Sequence, residues 1–299
     1  MGHEIIMPFF IFLPRRTTGV IFVYSIIMIS TKKRKWIRGI KIALIVYAIA
    51  GIGLYFLQDV ILFRPQPLPA GERYNFKEQF KEINIPIDHE SNLNLVQFAA
   101  TGTAPRGVVI YFHGNRDNIS RYAKYAPYFT KYGYEVWMMD YPGFGKSTGK
   151  ASEKKLYDWA MQVYKLARSR FGSDSIILYG KSLGTGIATQ LASVRNCKRV
   201  ILETPYYSIP SLAKRYFFMY PVDWFIHYKI PSWEYVKKIE VPLTIIHGTN
   251  DGVIPYSNAL RLKEFLKPGD EFISVKDGSH NDCYTFKETV DKLDSLLRN

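Results

Sequence analysis

Cysteine is scarce in this chain: two residues in 299, Cys197 and Cys283, neither in a Cys-x-x-Cys pair nor in a Cys/His cluster. That excludes a structural zinc site and a dithiol redox motif, and two free thiols are expected. Also missing are a glycine-rich loop of the dinucleotide or P-loop kind, any Asp/Glu/His cluster at metal-ligand spacing, internal repeats and low-complexity tracts. A protein without a cofactor follows. Acids are nearly absent from the first 57 residues, which hold one against eight Lys/Arg, so +7 of the net +14 sits in the first fifth. The remaining 242 residues carry 32 bases and 25 acids with no dense basic run. That distribution speaks against nucleic acid as a partner and for a solvated basic face.

What is abundant is apolar and aromatic: 47% hydrophobic residues and 15% Phe, Trp and Tyr, ample for a large buried core. The apolar residues are concentrated first at the N-terminus. Residues 42–57 carry no charge, and with Ile40 and a snorkelling Lys41 they approach the ~20 residues needed to cross a bilayer. The basic block Lys32-Lys33-Arg34-Lys35, with Arg38, belongs on the cytoplasmic side. A single-pass membrane protein is expected, its residues 58–299 on the extracytoplasmic side. A cleaved signal peptide is the competing reading, and Ala48-Ile49-Ala50 offers a small-x-small site. Seven further, mostly apolar residues follow it, which suits an uncleaved signal anchor better. Residues 5–29 are apolar too, but Pro14-Arg15-Arg16 interrupts them, and each Arg near the bilayer centre costs about 2.5–3.5 kcal/mol. No second span is expected there. Met28 precedes the basic block, which makes residues 1–27 a candidate over-extended start.

The resulting organisation is a basic segment over 1–36, a transmembrane anchor over 37–57, a linker over 58–81 and one domain over 82–299. Arg64-Pro65-Gln66-Pro67-Leu68-Pro69 reads as a stiff, extended part of the linker. Within the domain, residues 82–88 and 93–99 read as a pair of edge strands. Short runs rich in β-branched and aromatic residues at 107–113, 134–140, 175–180, 199–203, 242–248 and 271–277 fit strands buried on both faces. Amphipathic stretches near 117–132, 153–171, 183–194, 256–266 and 284–298 separate most of them. Such alternation implies a mostly parallel sheet with helices on both faces. The interval 206–235 breaks the rhythm with dense aromatics and Pro210, Pro221 and Pro231. Its length marks a lid, whose aromatics either line an acyl groove or pack on the sheet edge.

Gly180-Lys181-Ser182-Leu183-Gly184 matches G-x-S-x-G, between the apolar run SIILY and a helix-compatible stretch. A sharp strand-to-helix turn there would lift the Ser182 hydroxyl above the sheet. An acid and then a histidine should follow. Asp251 lies in HGTNDGVIP after one apolar run, and His280 lies in KDGSHND after the next. Glu203, just after RVIL, is the competing acid. The amide of Leu183 and a donor from the loop after YFHGN, with Asn115 the best candidate, would form the oxyanion hole. His113 is read as shaping that loop, and His247 as non-catalytic.

Together YFHGNRDN, DYPGFGKSTG, YGKSLGTG, HGTNDGVIP and GSHND resemble the α/β-hydrolase superfamily across essentially all of residues 82–299. They look like one branch in particular, the membrane-anchored serine hydrolases that include animal protein depalmitoylases and bacterial relatives. The resemblance implies an eight-stranded α/β-hydrolase fold behind an N-terminal anchor. It implies Ser182, Asp251 and His280 as a triad, with Asn115 and Leu183 as oxyanion donors, and a structural turn over Asp140–Gly145. The expected activity is cleavage of esters or thioesters of a small-molecule or acylated substrate through an acyl-enzyme. A peptidase or amidase of the same fold and a non-catalytic binding protein are the alternatives. Residues 206–235 depart from the branch's pattern, so substrate identity does not carry over.

Overall fold

The computed structural model describes residues 19–102 and 104–298, so the Pro14-Arg15-Arg16 interruption lies outside the described residues. The chain divides into two compact units after Leu54.

In the first unit a helix begins at Gly19 and runs to Phe56. The helix passes straight through the basic block instead of starting after it, because Lys and Arg are good helix formers and no proline intervenes. Its segment Lys32–Phe56, 25 residues with an 18-residue stretch of mean hydropathy 1.9, is long and apolar enough to cross a membrane.

The second unit is built on an eight-stranded sheet. Its strands are β1 (Phe80–Pro86), β2 (Asn92–Phe98), β3 (Gly107–Phe112), β4 (Tyr134–Met139), β5 (Ile176–Lys181), β6 (Arg199–Glu203), β7 (Leu243–Gly248) and β8 (Glu271–Val275). They lie in the order β8-β7-β6-β5-β3-β4-β2-β1. β2 is antiparallel to both of its neighbours, and every other pairing is parallel. All six residues of β3, of β5 and of β7 are buried, as a strand covered on both faces requires. β1, at the antiparallel edge, has no fully buried residue; Phe80 packs on one core and Ile83 and Ile85 on the other.

Two cores flank the sheet. One gathers Trp137, Trp159, Ile187 and Leu191 with the lid residues Tyr206, Tyr228 and Ile230. The other gathers Tyr111, Phe129, Tyr179 and Leu293. The helix Glu153–Arg168 joins the first core through Leu156, Trp159, Ala160, Val163, Tyr164 and Ala167, a stripe at helical spacing. Ser152 caps it by accepting the Lys155 amide. On the second face the terminal helix Lys287–Arg298 buries Leu293, Leu296 and Leu297.

After a short helix, Gln58–Leu62, residues 63–68 are extended, yet they are not a free linker. Arg64–Pro65 pairs in parallel with Arg116–Asp117, the loop that follows β3. The Arg64 amide donates to the Asn115 carbonyl at 2.8 Å, the Gln66 amide to Asp117 at 3.0 Å and the Leu68 amide to Gly145 at 2.7 Å. Phe63 is buried against Phe144 and Tyr228. Prolines keep the segment extended, and the backbone groups they leave over find partners on the domain surface.

The lid forms three short helices, Ile209–Tyr216, Val222–Phe225 and Ser232–Val236. Its aromatics divide between two environments. Tyr206 and Tyr228 are buried and Trp233 stacks on Tyr207, while Phe218 and Trp224 stand in solvent.

Candidate active site

Ser182 is the residue between β5 and the helix Leu183–Ala192, and its backbone stands at φ +52°, ψ −119°. For a side chain other than glycine that conformation costs about 1–3 kcal/mol, so its surroundings must enforce it. The flanking glycines make the turn possible. A Cβ on Gly180 would lie 2.6 Å from the Gly184 carbonyl oxygen, and one on Gly184 would lie 2.0 Å from that of Phe112. The helix is thus pressed onto β3 and β5, with its N-terminus under the serine.

Asp251 follows β7 and His280 follows β8. The structure brings both to Ser182. His280 Nε2 lies 2.9 Å from Ser182 Oγ, and His280 Nδ1 lies 2.7 Å from Asp251 Oδ2. The three residues are buried but each keeps 7–9% of its surface open. The other Asp251 oxygen accepts the amides of Val253 and Ile254 at 2.8 Å each. Burial alone would push the Asp251 carboxyl up; the hydrogen bond from His280, its charge and the two amides outweigh that and hold it below the ordinary carboxylate value. An ionised Asp251 fixes the proton of His280 on Nδ1, which leaves Nε2 free to accept from the serine.

His247, 3.4 Å from Asp251 through Nε2, is held as the neutral ring by burial, which lowers its pKa against the pull of that carboxylate. It bonds the Ile254 carbonyl at 3.0 Å and buttresses the Asp251 turn.

Glu203 does not meet His280. Its carboxylate is paired with the buried Lys181 ammonium and accepts the Tyr179 hydroxyl at 2.7 Å, which in turn accepts from Tyr284 at 2.7 Å. Burial would lower the Lys181 pKa, and the charge of Glu203 more than reverses that. The residue before the serine is therefore a buried cation whose charge is balanced one strand away.

Leu183 opens its helix, so its amide has no carbonyl a turn earlier within the helix to meet. Asn115 sits in the loop after β3, beside Gly114, whose added Cβ would lie 3.6 Å from the Ser182 Cβ. The Asn115 side chain is committed elsewhere, donating to the Leu62 carbonyl at 2.6 Å. Only its backbone amide is left to face a reacting oxygen. His113 is fully buried, bonds the Gly114 carbonyl at 2.7 Å and contacts Asp140 at 3.3 Å. Asp140 also accepts the Ile119 amide at 2.9 Å, and Gly143 and Gly145 turn the chain beside it at positive φ. Among the described residues no group of three His, Cys, Asp or Glu converges as a metal-binding cluster.

Sequence reasoning missed the Lys181–Glu203–Tyr179 network and the Asn115–Leu62 bond. The first carried one usable signal, a charged residue at each end of two adjacent apolar strands. The second carried none, since its partners are 53 positions apart.

Comparisons with known proteins bear on the family and the fold. The family described as "Serine aminopeptidase, S33" matches residues 103–235, which include Ser182 and end before Asp251. Alpha/beta hydrolase domain-containing protein 17C of Xenopus tropicalis is 32% identical over 208 residues, 67% of this chain and 64% of that protein. The protein of the same name from Mus musculus is 31% identical over 208 residues, 67% of this chain and 62% of its own length. The chain thus spans just under two thirds of the length of these relatives. Among solved structures, an esterase of Pyrococcus furiosus superposes with a TM-score of 0.60 at 20% identity, over 79% of this chain and 98% of its own. A likeness at that identity is one of fold.

Proposed function

We propose, for a chain that belongs to the α/β-hydrolase superfamily, that it is a serine hydrolase cleaving ester or thioester bonds of acylated substrates. The observation that carries this reading is the hydrogen-bonded run from Ser182 Oγ through His280 to Asp251. A strained, partly open serine with its hydroxyl within reach of an imidazole nitrogen is placed for activation as a nucleophile.

In the proposed reaction His280 Nε2 takes the Ser182 proton as Oγ bonds to the acyl carbon. The carbonyl oxygen becomes an oxyanion held by the amides of Asn115 and Leu183. His280 then hands its proton to the departing alcohol or thiol oxygen or sulfur, leaving an acyl-serine. A water molecule repeats the sequence, and the carboxylic acid leaves. The negative charge of Asp251 stabilises the imidazolium formed in both steps.

The aromatic lid supports an acyl group of some length, since each buried methylene contributes about 0.8 kcal/mol. With a series of p-nitrophenyl esters and acyl thioesters, kcat/KM is expected to climb from acetyl to medium chains. A profile that is flat or falls from acetyl upward would remove the acyl-binding role of the lid.

A second reading, amide hydrolysis, has the name of the matching family behind it. An aminopeptidase needs a carboxylate to hold the substrate's ammonium group. Both lid acids, Asp223 and Glu234, are exposed, and Asp223 is paired with Lys214 at 2.6 Å. The ester reading is therefore the better supported.

For location, the reading is a single-pass anchor over residues 37–57 with the basic block cytoplasmic and the domain from residue 82 onward extracytoplasmic. Protease added outside sealed spheroplasts is expected to digest the C-terminal domain. A C-terminus that stays protected there would reverse the orientation.

A further inference from the structure

The lid carries its exposed apolar residues in one short interval. Phe218 is 79% and Trp224 88% exposed, and Tyr216 and Met219 are exposed as well. A second exposed apolar set spans the end of the long helix and the short helix Gln58–Leu62 that follows it, where Phe56 is 75% and Val60 69% exposed. These two segments, some 160 positions apart, are tied together by Gln58. Its amide nitrogen donates to the Phe225 carbonyl at 3.1 Å, and its amide oxygen accepts the His227 backbone N–H at 2.7 Å. Tyr55 adds an edge-to-face contact with the His227 ring at 4.7 Å. The same Gln58 amide nitrogen also donates to the Tyr55 carbonyl at 2.9 Å, so this one side chain joins the lid segment 225–227 to the chain around residue 58.

We infer that this lid tip is a membrane-docking surface that seats Phe218 and Trp224 in the headgroup layer of the bilayer crossed by the helix. The inference rests on the proposed anchor reading. A bilayer of ~30 Å of hydrocarbon and ~40–45 Å in all leaves about 5–7 Å of headgroup region on each side. Gln58 stands two residues beyond the last helical residue, at most about 7 Å of chain. The Phe225 carbonyl is one hydrogen bond from Gln58, so the lid is tied to the chain at a point that the anchor reading puts at headgroup depth. Exposed tryptophan and phenylalanine are costly in water and favoured at that depth. Between residues 214 and 229 the lid carries Lys214, Arg215 and Lys229 against the single acid Asp223, a surplus of two positive charges. That balance suits anionic lipid headgroups. A bilayer therefore accounts for both the apolar tip and its basic rim.

The test places an environment-sensitive fluorophore at four positions of the full-length protein by Phe218→Cys, Trp224→Cys, Ile45→Cys and Lys154→Cys. The native Cys197 and Cys283 are buried. Each protein is reconstituted into vesicles of phosphatidylcholine with a minority of phosphatidylglycerol, containing nitroxide-labelled lipid. Probes at 218 and 224 are expected to be quenched several-fold more than the probe at 154, and most strongly by nitroxides near the headgroups. Quenching at 45 by deep nitroxides with none at 218 and 224 overturns the docking surface and leaves the anchor standing. Absence of quenching at all three overturns both. A blue shift at 218 without lipid quenching also overturns it, and identifies a protein partner on that face. As a functional arm, Phe218→Ser with Trp224→Ser should leave turnover of a short soluble ester unchanged while lowering turnover of a vesicle-embedded acyl ester several-fold. An equal loss on both substrates would instead make these residues part of the lid's own packing.

Discussion

Ser182→Ala is expected to abolish labelling by a fluorophosphonate probe and to lower ester turnover at least about 10³-fold, with the fold intact. The φ of +52° at position 182 is imposed by Gly180, Gly184 and the helix pressed on β3, and alanine meets the same backbone demand as serine. The hydroxyl's recorded partner is His280 Nε2, so its removal strands no buried group other than a ring nitrogen that can meet water. Thermal unfolding should therefore shift by only a few degrees. Activity close to that of the parent protein would show that Ser182 is not the nucleophile.

Asp251→Asn is expected to lower kcat by up to about 10⁴-fold, because an asparagine oxygen or nitrogen facing Nδ1 no longer enforces the tautomer that leaves Nε2 as acceptor. Glu203→Gln should behave differently. Its carboxylate balances Lys181 inside the sheet, and breaking a buried pair by removing one partner costs about 3–5 kcal/mol. The expected result is a large drop in Tm with a much smaller loss of kcat in whatever protein remains folded at low temperature. Circular dichroism melts beside steady-state kinetics on both variants separate the two outcomes. If Glu203→Gln lost more kcat than Asp251→Asn while keeping its Tm, the acid would have to be moved to the loop after β6.

The contrast between these two acids also marks what the chain discloses before it is folded. Both follow an apolar run, and both look able to reach a histidine. Only the packed structure shows that Lys181 claims Glu203, because that pair joins neighbouring strands 22 positions apart. The strands themselves were legible, since runs such as VVIYF and LTIIHG have no polar face to offer and must be covered on both sides. The meeting of Ser182, Asp251 and His280 was legible for a related reason. Ser182 and Asp251 follow buried parallel strands and His280 follows the parallel edge strand β8, so all three emerge at the same edge of the sheet. What else stayed hidden depends on backbone groups, which every residue carries alike. The docking of Arg64–Pro65 and the two bonds of Gln58 are of this kind, and prolines at 65, 67 and 69 signal extension but not the surface it lies against. The upstream reach of the long helix was obscured by the basic block, where charge was easier to see than helix propensity.

The segment that docks beside Asn115 can also be considered as a mechanical joint. Tension applied to the chain at Leu62 does not enter the main sheet through the end of one of its strands. Force drawn along the chain from Leu62 is borne by the short parallel ladder of Arg64–Pro65 on Arg116–Asp117, by the Asn115–Leu62 bond and by the wedge of Phe63. The ladder is attached to the loop after β3, so that loop takes the tension before β1 does. The eight-stranded sheet is thereby shielded, while the position of the Asn115 peptide becomes the quantity most sensitive to how tightly the chain is held.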